Sequence, residues 1–128
     1  MAYSLNKLRD ELTKKGLADD GLVAWGNSSS GLAGGVLFGA VGGAVAESLG
    51  KMHVICKKGE ALLVIPFTNK EILYSKGFAI QKQNIESVAL KGLLSKKLVI
   101  KTKAGKKLKY PITQGVSDLK TILQKLEF

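Results

Sequence analysis

The sequence is poor in the residues from which metal and catalytic sites are usually built. Its 128 residues include one cysteine, Cys56, and one histidine, His53. A single cysteine cannot form an intrachain disulfide, which indicates a reducing compartment. A metal site would need carboxylates as further ligands, but the ten acidic residues show no ligand spacing. We therefore expect no metal, no cofactor and no enzymatic activity.

A nucleophilic Cys-His pair is disfavoured by position as well. His53 and Cys56 are three residues apart in a predicted strand, so their side chains should point to opposite faces of a sheet. Trp25 is the only tryptophan, and we expect it to pack in a core or an interface rather than to stack on a ligand. An enzyme with a site made from Trp25, His53 and Cys56 is the weakest alternative.

A secretory signal is missing too. The first twenty residues carry eight charged side chains and no apolar core segment. We expect the protein to be cytoplasmic, with membrane association as a further option.

Arginine is nearly absent, although the chain is strongly basic. Twenty Lys and Arg residues against ten Asp and Glu residues give a net charge of +10, and Arg9 is the single arginine. This excess charge attracts nucleic acid, anionic lipid head groups or acidic proteins. Guanidinium is the preferred group for bidentate recognition of phosphates and bases, so a lysine surface favours diffuse electrostatics.

Ionisable residues are also absent between Asp20 and Glu47, where the chain carries a glycine zipper. Glycines four residues apart lie on one face of a helix and let another backbone come close. They are Gly31, Gly35, Gly39 and Gly43. The strictly apolar part, residues 31–46, has 16 residues, whereas a membrane-spanning helix needs about 20.

Both faces of such a helix would be apolar, so both should be buried against other apolar groups. We expect the segment to pack against its own domain and a second copy, which predicts a homo-oligomer. One alternative is a small membrane-anchored protein with residues 31–49 inserted and a cytoplasmic head. The other is a glycine-rich loop without helical structure.

The size of the chain suits a single domain. Residues 1–20 should form a helix over positions 5–15, capped by Ser4 and ended by Gly16, and then a turn. Residues 21–30 contain the first strand, residues 31–50 the zipper insertion, and residues 51–128 a sheet with a C-terminal helix. In the first strand, Leu22 and Ala24 should face opposite to Val23 and Trp25.

From residue 51 onward, short β-branched and alternating runs separated by turn residues predict antiparallel strands. They cover residues 52–57, 61–67, 72–74, 78–81, 85–90, 97–103 and 106–110. A terminal amphipathic helix should start at Ser117 or Asp118. The predicted fold class is α+β: a curved antiparallel sheet or partly open barrel of about seven strands, closed by this helix.

The last hairpin separates apolar from basic residues. Leu98, Ile100, Leu108 and Tyr110 alternate with lysines and can face a core. The lysines left on the outer face are Lys97, Lys101, Lys103, Lys107 and Lys109. They form a solvated face that resists edge pairing, or they contact an anionic surface such as lipid head groups. Nucleic acid is disfavoured, because exposed aromatics that could stack on bases are lacking.

Three segments resemble bacterial pleckstrin-homology-like (PH-like) and GRAM-like domains. Residues 67–74 (FTNKEILY) resemble the family segment LTNKRLLY, with Glu71 where the family usually has Arg. Residues 82–88 (KQNIESV) are similar to IPLEDIESV, and residues 98–110 fit the hairpin L.I.T..GK...F. The resemblance covers roughly residues 60–127. It implies a non-enzymatic module that binds proteins, peptides or membrane surfaces.

Overall fold

The structure is a computed structural model that describes residues 4–27, 52–92 and 96–128. These residues form an α+β fold with two helices, α1 (Leu5–Lys14) and α2 (Val116–Lys125). The strands are β1 (Val23–Asn27), β2 (Met52–Lys58), β3 (Ala61–Phe67), β4 (Phe78–Gln81), β5 (Ile85–Lys91), β6 (Lys96–Thr102) and β7 (Lys107–Ile112). Short 3-10 turns lie at Tyr74–Lys76 and Lys82–Asn84. The zipper insertion falls outside the described residues.

The strands are all antiparallel, but they form two sheets rather than one curved sheet. The first sheet has the order β1-β2-β3-β4 and the second has the order β5-β6-β7. The 3-10 turn at Lys82–Asn84 separates β4 from β5, which do not pair. The sheets meet at β1 and the end of β7, where Trp25 forms an isolated bridge with Gln114. The described strands do not close a barrel.

The main core lies between the two sheets and α2. It includes Ala24 and Ile55 from the first sheet, and Ile100 from the second. Leu119 and Ile122 of α2 are fully buried against it, as their helical spacing predicts. This packing confirms the prediction that a C-terminal helix closes one side of the sheet structure.

A second core covers the opposite face of the first sheet. Leu8 and Leu12 of α1 are fully buried there, next to Val23, Val54 and Cys56. Each buried leucine contributes about 1.5–3 kcal/mol relative to an exposed one. Because the first sheet is covered on both sides, four consecutive residues of β2, His53 to Cys56, are buried, and burial does not alternate along the strand.

The ends of α1 agree with the sequence prediction. The Ser4 hydroxyl accepts a hydrogen bond of 3.1 Å from the Lys7 backbone N–H, which satisfies one of the unpaired donors of the first turn. Gly16 follows the helix with a φ of 71°. The predicted alternation in β1 is also confirmed, because Ala24 lies in the main core while Val23 and Trp25 pack in the second core.

The strand predicted at residues 72–74 is wrong. Ile72 makes one isolated bridge with Phe67, and the chain then enters a 3-10 turn. The Thr68 hydroxyl accepts hydrogen bonds from the backbone N–H groups of Lys70 and Glu71. These bonds close the turn between Phe67 and Ile72, and the chain bends into the 3-10 turn at Tyr74 before a ladder can extend.

The terminal helix begins at Val116, one residue before the predicted start at Ser117 or Asp118. The N-cap is Gly115, with a φ of 91° and no side-chain hydrogen bond. A Cβ atom at this position would come within 2.6 Å of the Ala24 Cα. Close approach of the α2 start to β1 therefore requires glycine there, and it leaves Asp118 available for a different contact.

Candidate functional site

The outer face of the second sheet is the candidate functional site, and we call it the lysine face. Alternate residues of β6 and β7 point inward, and Leu98, Ile100, Leu108 and Tyr110 are buried as predicted. The residues between them point outward. Four of the predicted contact lysines, Lys97, Lys101, Lys107 and Lys109, are exposed on this face.

Lys103, the fifth predicted lysine, lies outside this set. The strand β6 ends at Thr102, so Lys103 belongs to the turn before β7. Its backbone N–H donates a hydrogen bond of 2.9 Å to the Asn84 carbonyl. Lys103 is exposed at one end of the sheet, but it is not a member of the lysine face.

The pairing of β5 with β6 adds Lys91, which the sequence analysis did not assign to the site. Lys91 lies directly opposite Lys97, and Lys101 lies directly opposite Lys107. Opposed residues of an antiparallel pair have Cβ atoms about 4.5–5.5 Å apart, and like charges there are destabilising. The lysine face thus holds two like-charged cross-strand pairs.

A shallow groove runs along this face. Its volume is about 290 Å³. The lining residues are Lys91, Gly92, Lys97, Val99, Lys107 and Lys109. Val99, the one apolar side chain of this lining, lies opposite Ala89 on one side and Lys109 on the other.

Negative charge is scarce around the groove. The chain has no acidic residue between Glu86 and Asp118. Glu86 forms an ion pair of 3.2 Å with Lys101, and both side chains are about half exposed. Among the described residues, the four lysines that line the groove form no ion pair. The positive charge without a paired acid on this face therefore belongs to the lysines of the groove.

Aromatic side chains lie on the other side of this sheet. Tyr110 is 5% exposed, and burial raises the pKa of its hydroxyl. Its ring contacts the His53 ring at a centroid distance of 5.2 Å. The outer positions of the described β5, β6 and β7 residues include no aromatic residue, so the face offers no stacking platform.

The structure separates His53 from Cys56. His53 packs against Tyr110 in the direction of the main core, whereas Cys56 lies in the second core, as their spacing predicts. The Cys56 thiol donates a hydrogen bond of 3.2 Å to the Leu17 carbonyl. Burial, together with the negative charge of Asp19, raises the pKa of this thiol to about 12. Trp25 shares a face with Cys56 but not with His53.

No group of His, Cys, Asp and Glu side chains suited to a metal ion occurs within residues 4–27, 52–92 and 96–128. In the same part of the chain, no helix is long and apolar enough to cross a bilayer.

The zipper glycines Gly31, Gly35, Gly39 and Gly43 lie outside the described residues, but both ends of their segment are defined. Asn27 ends β1 and is the register partner of Met52, which begins β2. The neighbouring Gly26 is packed so closely that a Cβ atom there would overlap the Pro111 carbonyl. Pro111 lies opposite Lys97 in the second sheet. The chain therefore leaves and re-enters the fold beside the Lys97 end of the lysine face.

No protein-family model, curated protein or solved structure matches this chain. Because a fold alone does not define an activity, the residues of the lysine face are the basis for any functional inference.

Proposed function

We propose that this protein is a non-enzymatic PH-like interaction module that binds an anionic lipid surface through its lysine face. The main supporting observation is the set of five lysines on one exposed sheet face, where Glu86 is the one acidic residue of the three strands. The order of elements supports the PH-like assignment: seven antiparallel strands followed by a helix that packs on the core.

Lipid is favoured over nucleic acid by the kind of side chains on this face. Nucleic-acid sites combine lysine with arginine for base and phosphate recognition and with aromatics for stacking. The single arginine, Arg9, bonds to Asp118 instead, and Tyr110 is buried. Each lysine near an anionic membrane surface contributes about 1 kcal/mol, so a few lysines give measurable and salt-sensitive binding.

The test is co-sedimentation of the full chain with vesicles of phosphatidylcholine and phosphatidylserine. In the variant Lys97→Gln/Lys107→Gln/Lys109→Gln we expect the affinity to fall about 100-fold, since three surface lysines are removed. The matched control, Lys14→Gln/Lys76→Gln/Lys120→Gln, removes the same charge from exposed positions elsewhere and should bind nearly as the parent does.

Three results would overturn the lipid proposal. One is failure of the parent protein to bind these vesicles at low salt. Another is an equal loss of affinity in both triple variants, which would show that net charge alone acts. The third is tighter binding to a single-stranded RNA or duplex DNA oligonucleotide than to the vesicles at the same salt concentration, which would identify nucleic acid as the partner.

We propose, in addition, that residues 31–50 mediate self-association. The supporting observations are the four-residue glycine spacing, the lack of ionisable residues between Asp20 and Glu47, and the pairing of Asn27 with Met52, which makes both ends of the segment emerge at one place. The alternative is a membrane anchor formed by residues 31–49.

Light scattering after size-exclusion chromatography tests the self-association proposal. Gly35→Leu/Gly39→Leu should reduce the oligomer to a monomer, because a filled groove is overpacked by about 1–3 kcal/mol. The control Gly34→Leu/Gly42→Leu changes glycines outside the four-residue series and should keep the oligomer. A monomeric parent protein in solution would contradict self-association. Sedimentation of the parent with cell membranes would support the anchor instead.

A further inference from the structure

The charge on the lysine face is unevenly distributed, and this asymmetry indicates the type of ligand. Lys101 is paired with Glu86 at 3.2 Å and does not line the groove. Lys91, Lys97, Lys107 and Lys109 line it and have no ion-pair partner in the described part of the chain. Four of the five lysines of this face therefore line one small groove, while the fifth is paired outside it.

We propose that this groove binds a terminal phosphate monoester. At neutral pH such a group carries about −1.5 to −2 charges and three strong acceptor oxygens. Each lysine supplies three donors and no acceptor, and the opposed Lys91 and Lys97 are close enough for both ammonium groups to reach one anion. A phosphodiester head group has one charge and fewer free oxygens, so it neutralises this cluster less completely.

The size of the groove limits the ligand. Its volume of about 290 Å³ is at the lower end of the range for small-molecule sites, roughly 300–1,000 Å³. A phosphate with a short polar attachment fits, whereas a nucleotide with its base would extend beyond the described walls. Such a phosphate occurs in a monoester lipid head group or in a soluble phosphorylated metabolite. The lipid source depends on the proposed function; the phosphate chemistry does not.

Lysines act as point charges, so recognition should follow the charge of the ligand. The second pKa of a phosphate monoester is about 6. Binding should weaken as pH falls from 7.5 to 5.5, because the phosphate dianion becomes a monoanion. The charged groups that face the groove are the four lysines, with the Glu86 and Lys101 pair beside them. The histidine His53 is buried on the other side, against Tyr110.

The experiment compares phosphatidylcholine vesicles that contain phosphatidic acid, a monoester, with vesicles that contain phosphatidylglycerol, a diester, at matched zeta potential. We expect about tenfold tighter binding to phosphatidic acid, as for one additional charge-assisted hydrogen bond. Lys91→Gln/Lys97→Gln should abolish this preference. The control Lys103→Gln/Lys120→Gln removes the same charge from exposed positions outside the lysine face and should retain it. Thermal unfolding checks that both variants fold.

A titration with a soluble phosphate monoester distinguishes a lipid head group from a soluble metabolite as the source of the phosphate. Titration with glycerol 3-phosphate should shift the amide NMR signals of Gly92 and Val99 in the parent protein but not in Lys91→Gln/Lys97→Gln. Equal binding to both vesicle types without such shifts would overturn the phosphate site and leave the lipid-binding proposal intact. Shifts without vesicle binding would support the site and overturn the lipid proposal. If the protein shows neither NMR shifts nor vesicle binding, both the phosphate site and the lipid-binding proposal are overturned.

Discussion

The Nη2 atom of Arg9 donates a hydrogen bond of 2.8 Å to Oδ2 of Asp118, which is 109 residues further along the chain. The same oxygen accepts a hydrogen bond of 3.3 Å from the backbone N–H of Val23. One carboxylate thus connects α1, β1 and the first turn of α2. The only arginine of this lysine-rich protein has a structural contact, which leaves the lysine face without a guanidinium group.

Removal of this carboxylate should destabilise the fold. We expect Asp118→Ala to lower the free energy of unfolding by about 1–2 kcal/mol, because two hydrogen bonds to a charged acceptor are lost. The Arg9 side chain is 36% exposed and the Asp118 side chain 21%. The coupling energy between Asp118→Ala and Arg9→Gln should therefore be about 0.5–1 kcal/mol. Urea unfolding of the double-mutant cycle measures it.

A second ion pair provides the control for this cycle. Lys82 and Glu127 are 3.3 Å apart, but the Glu127 side chain is 82% exposed. Their coupling energy should be close to zero, since exposed pairs gain little in water. If the Arg9 and Asp118 coupling is no larger than this value, the three-element connection does not stabilise the fold.

Gly26→Ala should be among the most damaging single substitutions in the described chain. The added Cβ would overlap the Pro111 carbonyl, and backbone atoms cannot move away as a flexible side chain can. We expect a loss of about 3 kcal/mol or more, measured by urea unfolding. Gly105→Ala, where the space is open at a φ of 87°, should cost only about 1–2 kcal/mol. Similar losses would contradict the close approach of β1 and β7.

Asp19 should make stability depend on acid pH. Its carboxylate accepts hydrogen bonds from the Gly59 backbone N–H at 2.7 Å and from the Lys57 ammonium at 3.3 Å. The Gly59 bond in particular lowers the pKa of Asp19 from its ordinary value of 3.8. A lowered folded-state pKa stabilises the protein above the unfolded value, and this contribution is lost as pH falls through the folded value.

The comparison of parent and Asp19→Asn tests this dependence. Their melting temperatures should differ at pH 6 and should converge as pH falls below about 3.8. Asp10→Asn, an exposed change on α1, serves as the control and should follow the parent throughout. A difference that is the same at pH 6 and at pH 2.5 would show that the ionised carboxylate contributes nothing.

Cys56 should be unreactive in the folded protein. The thiolate is the nucleophile, and a buried thiol with a pKa of about 12 is almost fully protonated at pH 8. We expect iodoacetamide to label Cys56 only through unfolding, so the labelling rate should rise with urea concentration. The fully denatured chain gives the reference rate. Rapid labelling without denaturant would contradict the buried environment and the hydrogen bond to Leu17.

Local patterns predicted the elements of this fold better than their arrangement. The alternation in β6 and β7 predicted that Leu98 and Tyr110 are buried while Lys97 and Lys109 are exposed. The same reasoning failed at residues 72–74, where hydrogen bonds to the Thr68 hydroxyl produce a turn. A strand needs a partner ladder as well as suitable residues, and the sequence pattern contains no information on whether that ladder is available.

The residues of the candidate site were likewise predicted in part from local patterns and in part only from the arrangement of the strands. The lysines of the last hairpin were identified from their spacing, because the two faces of a strand alternate with a period of two. Lys91 belongs to the site because β5 pairs it with Lys97. Lys103 does not belong to it, because β6 ends at Thr102 and not at the predicted residue 103. Both outcomes depend on the register between strands, which several core contacts determine together.

The scarcity of cysteine, histidine and arginine, with one residue of each, and the excess of lysine are properties of the sequence alone. They determined that a charge-based surface is a better candidate than a catalytic centre. Only the tertiary structure decided that seven strands divide into two sheets, that Glu86 neutralises Lys101 and leaves four lysines around a groove, and that Arg9 bonds to Asp118. The physical reason is distance: periodicity acts over a few residues, whereas these contacts join segments that meet only when both cores are packed.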